Sequence, residues 1–232
     1  MKLAIMQPYF MPYLGYWQLM NAVDQYVVYD DVNFINRGWI HRNRILMNGC
    51  AHDIHIPLSK VSQNKKINEI TLLDEEKPRQ KLLRTIAQSN ARAPRFSEAF
   101  PVIREIILFP EKNLSGFLYH QHQVLSAYMG MTTNLLLSSA LEKDNSLKGK
   151  DKVLAICELL GADVYLNSAG GQELYSKEEF AAHGIELRFL QMNDIRYAQF
   201  QNDPVPGLSI IDVMMFNSGE EIRQLLAQYT LI

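Results

Sequence analysis

The sequence predicts an α/β protein built on a parallel sheet of about five strands, interrupted by a β-hairpin and a helical insertion. Three observations predict it. Short apolar or β-branched runs recur, each followed by a breaker or a polar loop. Amphipathic helical patterns fall between them. The first two runs are joined by one such helix, and a βαβ unit is parallel and right-handed.

The elements follow in order. "LAIM" at 3–6 is a buried strand stopped by Pro8. Residues 13–23 form a helix with Leu14, Trp17, Leu19 and Met20 inward, and "QYVVYDD" at 25–31 is the second strand. Residues 39–58 alternate on both sides of Asn48-Gly49, a strong hairpin signal. Residues 78–130 read as a helical insertion broken at Pro94, Pro101 and Pro110. "NLLLSS" at 134–139 returns to strand, and 150–162 is an amphipathic helix ending at Gly161. "DVYLNSAGG" is a strand and a glycine turn, and "IELRFL" at 185–190 is another strand. Helices over 208–217 and 220–229 close the chain. The simplest division is one α/β domain over 1–232, with the hairpin and the insertion as excursions.

Composition narrows the function classes. The chain has 232 residues, 47% of them hydrophobic and 21% charged, which is ordinary for a globular protein. A net charge of −2 gives no footprint for nucleic acid. Cys50 and Cys157 stand apart in apolar patterns, outside any zinc or CxxC spacing, and read as reduced, packed thiols. The start lacks a signal-peptide pattern, and no apolar run is long enough to span a bilayer. These readings predict a cytoplasmic protein without membrane insertion. Exposed aromatic or methionine faces make it a candidate homo-oligomer.

In open α/β sheets, ligands bind beyond the carboxyl ends of the strands. Five loops lie there: "QPYFMPYLGY", "DDVNFINRGW", "SSALEKDNSLKG", "NSAGGQELY" and "QMNDIRY". In the first, Gln7, Tyr9, Tyr13, Gly15 and Tyr16 are candidate substrate or nucleotide contacts. Gly15 permits close approach near a helix start, and the tyrosines offer hydroxyl donors. The same rings at helical spacing also suit a core. In the second, Asp30 and Asp31 are candidate catalytic carboxylates and the candidate magnesium ligands. Arg42 is a candidate catalytic cation, and Arg37, Trp39 and Arg44 are candidate binding residues. Arg42 and Arg44 share one strand face, a pair suited to phosphate or carboxylate. Surface ion pairing with the aspartates is the plainer alternative. Ser138, Ser139, Lys148 and Lys150 are candidate phosphate contacts, and Gly170 and Gly171 permit close approach of a ligand. The serines also suit helix capping. Asp212, within the apolar "LSIIDVMMF", needs a partner if buried and is a candidate general base.

Several of these residues lie in longer blocks that carry a resemblance. "MQPYFMPYLGYWQL" at 6–19, "VVYDDVNFINRGWIHRNRI" at 27–45 and "LSIIDVMMFNSGEE" at 208–221 resemble the WbqC-like family, supported by "LGADVYLNSAGG" at 160–171. That family is associated with bacterial polysaccharide and O-antigen gene clusters. The resemblance implies work on sugars or sugar nucleotides. The opening strand–turn–helix–strand is also similar to HxGH nucleotidyltransferases and pantothenate synthetases, which implies a HUP-like sheet. Here Tyr13-Leu14-Gly15-Tyr16 stands at that turn, with both histidines replaced by tyrosine. Tyrosine donates a hydrogen bond but is not cationic near neutral pH.

Together these readings predict an enzyme of surface-polysaccharide biosynthesis. It acts on an amino-sugar nucleotide and transfers an activated aminoacyl or acyl group to make an amide, with ATP and Mg²⁺ as candidate cofactors. The alternatives are a nucleotidyltransferase that releases pyrophosphate and a non-catalytic sugar-nucleotide-binding protein.

Overall fold

The structure is a computed structural model and describes residues 1–201 and 203–232. Its centre is a six-stranded sheet. The strands are β1 (Lys2–Met6), β2 (Gln25–Val28), β7 (Asn134–Leu137), β8 (Val164–Ser168), β9 (Glu186–Met192) and β10 (Tyr229–Leu231). They lie in the order β10-β9-β8-β1-β2-β7. Five are parallel, and β10 runs antiparallel along β9. The chain therefore reverses direction across the sheet between β1 and β8, the doubly wound order in which a crevice opens at the carboxyl ends of those strands.

Burial on both sides explains the apolar runs. Ala4, Tyr26, Val28, Leu166 and Leu190 face one hydrophobic cluster. Their neighbours Leu3, Ile5, Val27, Tyr165, Leu187 and Phe189 face a second. The alternation is the pleat itself, and both faces are apolar because helices cover both. The first cluster takes in α1 (Leu14–Asn21), α3 (Phe96–Leu108), α4 (Leu114–Met129), α7 (Ile210–Phe216) and α8 (Gly219–Leu226). The second takes in α5 (Gly149–Leu159) and α6 (Lys177–Ala182). Helix α1 is buried on every side but its last residue. Its one long polar side chain, Gln18, donates to the carbonyls of Leu225 at 2.8 Å and Gln228 at 3.0 Å. That pair of bonds fixes α1 against the end of α8.

The hairpin forms around Asn48-Gly49: β3 (Arg42–Met47) pairs with β4 (Cys50–His55), and β5 (Leu58–Ser59) pairs with β6 (Thr71–Leu72) in a second short ribbon. Asn48 and Gly49 have φ of 52° and 75°, as a two-residue turn matched to strand twist requires. The helical insertion holds α2 (Glu76–Asn90), α3 and α4. Pro94 and Pro110 fall between helices, as expected. Pro101 does not break the chain; it sits inside α3. It is exposed, so the helix loses one backbone hydrogen bond on the side where water can replace it.

Three further differences have plain causes. The last helix stops at Leu226, and Tyr229–Leu231 pairs with Leu190–Met192 as β10. A three-residue edge strand is too short to show a period. The six-residue α6 is likewise too short for one. Cys157 is buried and burial pushes its thiol up to about 12, but Cys50 opens β4 and is exposed. The reason is that β4 is one strand of a two-stranded ribbon and buries only Ile54 of its own residues. Among the described residues, no helix is long and apolar enough to cross a membrane.

Candidate active site

The carboxyl end of β2 carries a buried polar knot. Asp30 accepts hydrogen bonds from Ser115 Oγ at 2.7 Å, Ser139 N at 2.9 Å and Ser139 Oγ at 2.7 Å. Asp31 accepts one from Ser138 Oγ at 2.7 Å. Its Oδ2 lies 3.0 Å from Lys143 Nζ and 2.8 Å from Lys152 Nζ, both nearly inaccessible to water. Lys143 also donates to the Ser138 carbonyl. Burial alone would push the Asp31 carboxyl up. Bonds from Lys152, Ser138 and Lys143 outweigh it and hold the group below the ordinary carboxylate range. Four predicted site residues, Asp30, Asp31, Ser138 and Ser139, thus meet at one point. A magnesium ion there would have to displace two buried ammonium groups or three hydrogen-bond donors. Among the described residues, no three His, Cys, Asp or Glu side chains gather as a metal-binding group.

The aromatic turn after β1 divides into core and surface. Phe10, Tyr16 and Trp17 are buried. The Tyr16 hydroxyl lies between His122 Nε2 at 2.9 Å and the Gln7 carbonyl at 3.1 Å, one proton facing two acceptors. Burial drives the Tyr16 hydroxyl pKa upward and the His122 pKa down to about 4, so His122 is neutral. Its Nδ1 donates to the Leu118 carbonyl. Tyr9 is half-buried, 5.4 Å from Tyr16 ring to ring. Tyr13 is exposed, and its ring lies across the start of α1. A Cβ on Gly15 would stand 2.6 Å from Tyr13 Cε2 and 3.4 Å from Met192 Sδ. A larger residue there would push the Tyr13 ring aside, and the ring occupies the approach to the helix start.

Beside Tyr13 a cavity of about 300 Å³ opens between α1, the end of β9 and the connection from β9 to α7. Tyr13, Met192, Arg196, Tyr197, Gln199 and Gly207 are among its walls. Behind Tyr197 and Gln199 sits Asp212, the third residue of α7 and 1% exposed. Tyr197 Oη and Gln199 Nε2 both donate to Asp212 Oδ2, each at 2.6 Å. Among the described residues, Oδ1 is buried with no partner. Burial raises the Asp212 carboxyl to about 6, against the lowering effect of those two hydrogen bonds. A carboxyl with this pKa is ionised near neutral pH and remains able to take a proton.

The hairpin brings the predicted cations to the same side. Arg42 and Arg44 place their guanidinium carbons 5.3 Å and 5.4 Å from the centre of the Trp39 ring. Arg42 also donates to the Gly38 carbonyl at 3.1 Å and the Arg37 carbonyl at 2.6 Å. Neither Arg37, Arg42 nor Arg44 forms an ion pair among the described residues. Arg44 reaches Gly207 on the cavity rim, within 3.8 Å of where a Cβ would stand. Gly170 and Gly171 follow β8. Gly171 packs on the Asn167 side chain, and Gly170 faces open space. Sequence reading missed Tyr197, Gln199, Lys143 and Lys152. The loop "QMNDIRY" held Tyr197 without marking it, and a lysine in an amphipathic helix carries no sign that it is buried.

The model of the WbqC-like protein family matches residues 7–224. A Mycobacterium tuberculosis protein named "Uncharacterized protein Rv1507c" is 28% identical over 224 residues, covering 95% of each chain. No solved structure matches.

Two stability effects follow from the opposite environments of Asp31 and Asp212. Asp31→Asn leaves two buried ammonium groups facing a neutral amide, and urea unfolding should show a loss of about 3–5 kcal/mol. Asp212 has a folded pKa above its unfolded one. The stability of its protonated form is therefore complete below about pH 4 and lost as pH rises through about 6. The roughly two-unit gap amounts to about 3 kcal/mol. Thermal melts should show Asp212→Asn more stable than the wild type at pH 8, with the gain gone at pH 4.

Proposed function

The chain belongs to the WbqC-like protein family, and on that premise we propose that it is an enzyme of bacterial surface-polysaccharide biosynthesis that joins an activated aminoacyl or acyl group to the amine of an amino-sugar nucleotide. The observation that carries this reading is the buried Asp212 carboxyl, linked to the cavity wall by Tyr197 and Gln199.

An amine that attacks an acyl carbon must lose a proton. A base with a pKa near the working pH serves that step best. The amine nitrogen bonds to the acyl carbon, and the bond to the donor's leaving group breaks with its electron pair. The amine proton passes to the Tyr197 oxygen as the Tyr197 hydroxyl proton passes to Asp212 Oδ2. Tyr197 is the catalytic residue that meets substrate, and Asp212 receives the proton through it. Tyr13 and Met192 supply apolar wall for a sugar or acyl face. Arg42 and Arg44, which lack carboxylate partners, suit a carboxylate or phosphate of the donor. Trp39, flanked by both, suits stacking on a sugar or base. ATP is the activating co-substrate, bringing Mg²⁺ on its own phosphates. Asp30 and Asp31 act by holding the sheet edge on which these groups converge.

The test supplies purified protein with amino-sugar nucleotides, ATP, Mg²⁺ and carboxylic or amino acids, then follows product mass. Formation of the amide is expected. Asp212→Asn and Tyr197→Phe should each lower kcat by about 100-fold or more while keeping a native melting transition. Tight nucleotide binding without turnover would identify a binding protein instead. Pyrophosphate release with a new nucleotide-linked product and no amide would identify nucleotidyl transfer.

A further inference from the structure

A second cavity, of about 280 Å³, lies on the other side of β1 at the carboxyl end of β2. Tyr29, Asn33, Lys66, Lys148, Gly149 and Lys152 line it, together with Asp31. Its charge is unbalanced. The single lining carboxylate, Asp31, is already matched by Lys152 at 2.8 Å and by Lys143 at 3.0 Å. Lys66 and Lys148 form no ion pair among the described residues. Lys152 is 4% exposed; it is ion-paired with Asp31 Oδ2 and donates at 3.2 Å to the Asp31 carbonyl. On the cavity side its Nζ lies 5.2 Å from the Tyr29 ring centre. Of the nearby acids, Glu179 pairs with Lys150 and Glu69 accepts from the Lys66 backbone N–H, while Asp144 and Asp151 are exposed to solvent, which screens their charge.

The backbone adds donors. Helix α5 starts at Gly149 with no side-chain cap from Lys148. Gly149 has φ of 53° and nothing within 4 Å of where a Cβ would stand. The first N–H groups of α5 are therefore open beside three lysines.

We propose that this cavity binds a phosphate group, a diphosphate or phosphate monoester carried by the substrate. Lys66 and Lys148 neutralise it, Lys152 lies below, and the start of α5 supplies backbone N–H groups. In the sheet, β2 and β9 are separated by β1 and β8, so the strands that carry the two cavities are roughly 14 Å apart at about 4.8 Å per strand. A sugar joined through a diphosphate to a nucleoside bridges such a gap. That bridging rests on the proposed function, whereas the phosphate pocket rests on its own residues.

The full chain would be titrated calorimetrically with inorganic phosphate, pyrophosphate and a nucleoside diphosphate sugar at constant ionic strength. The wild type, Lys66→Ala, Lys148→Ala, the double variant and Lys60→Ala, an exposed lysine outside the cavity, would be compared. Pyrophosphate is expected to bind, with a loss of at least tenfold in the double variant and none in Lys60→Ala. Tighter binding of the nucleotide sugar than of pyrophosphate would assign the pocket to the substrate's diphosphate. Equal affinity would assign it to the free anion and overturn the substrate assignment. Absence of pyrophosphate binding, or equal binding by the double variant, would overturn the proposal. Phosphate binding without amide synthesis would remove the proposed function and leave this pocket. Amide synthesis with an unchanged KM in the double variant would do the reverse.

Discussion

The buried pair Asp30–Asp31 at the end of β2 is the constraint on which the carboxyl edge of the sheet depends. Asp30 takes Ser115 from the first turn of α4, on one face of the sheet. Asp31 takes Lys152 from the first turn of α5, on the other. Ser138 and Ser139, just past β7, bind one aspartate each. Two adjacent side chains thus join both helical layers and the neighbouring strand. Buried charges cost several kcal/mol each to desolvate, and only full pairing offsets that cost. The arrangement fixes geometry more than it adds stability: shifting any one of these elements would strand a charge.

The three buried aspartates differ because their surroundings differ. Asp30 is surrounded by hydrogen-bond donors, and Asp31 is held by Ser138 and two ammonium groups. Asp212 has two donors on one oxygen and, among the described residues, none on the other. Burial therefore prevails at Asp212 and raises its pKa, while ion pairing prevails at Asp31 and lowers it. A paired carboxylate holds structure, and an undersatisfied one beside a cavity is available for proton transfer. The cost of burying Asp212 is the stability given up for that chemistry.

Much of the fold was legible because it rests on local physics. Asn48-Gly49 marks its turn through backbone angles that few residues adopt. Apolar runs mark strands buried on both faces. The doubly wound rule selected the loops where Asp30, Ser138, Tyr13 and Tyr197 lie. What stayed hidden depends on contacts between residues distant in sequence. Tyr16 looks like a ligand contact until His122, 106 positions later, is found against its hydroxyl. Lys152 reads as a surface lysine until Asp31 draws it inward. Tyr197 and Gln199 acquire a role only when the chain returns with Asp212.

The central claim is that environment divides these aspartates into a structural carboxylate and a proton acceptor. Carbon-13 NMR titration of the aspartate carboxyls in the folded protein tests it directly. The account predicts a midpoint at about 6 for Asp212 and one below the ordinary carboxylate range for Asp31. An Asp212 midpoint near that of an exposed aspartate, or an Asp31 midpoint above it, would contradict the account.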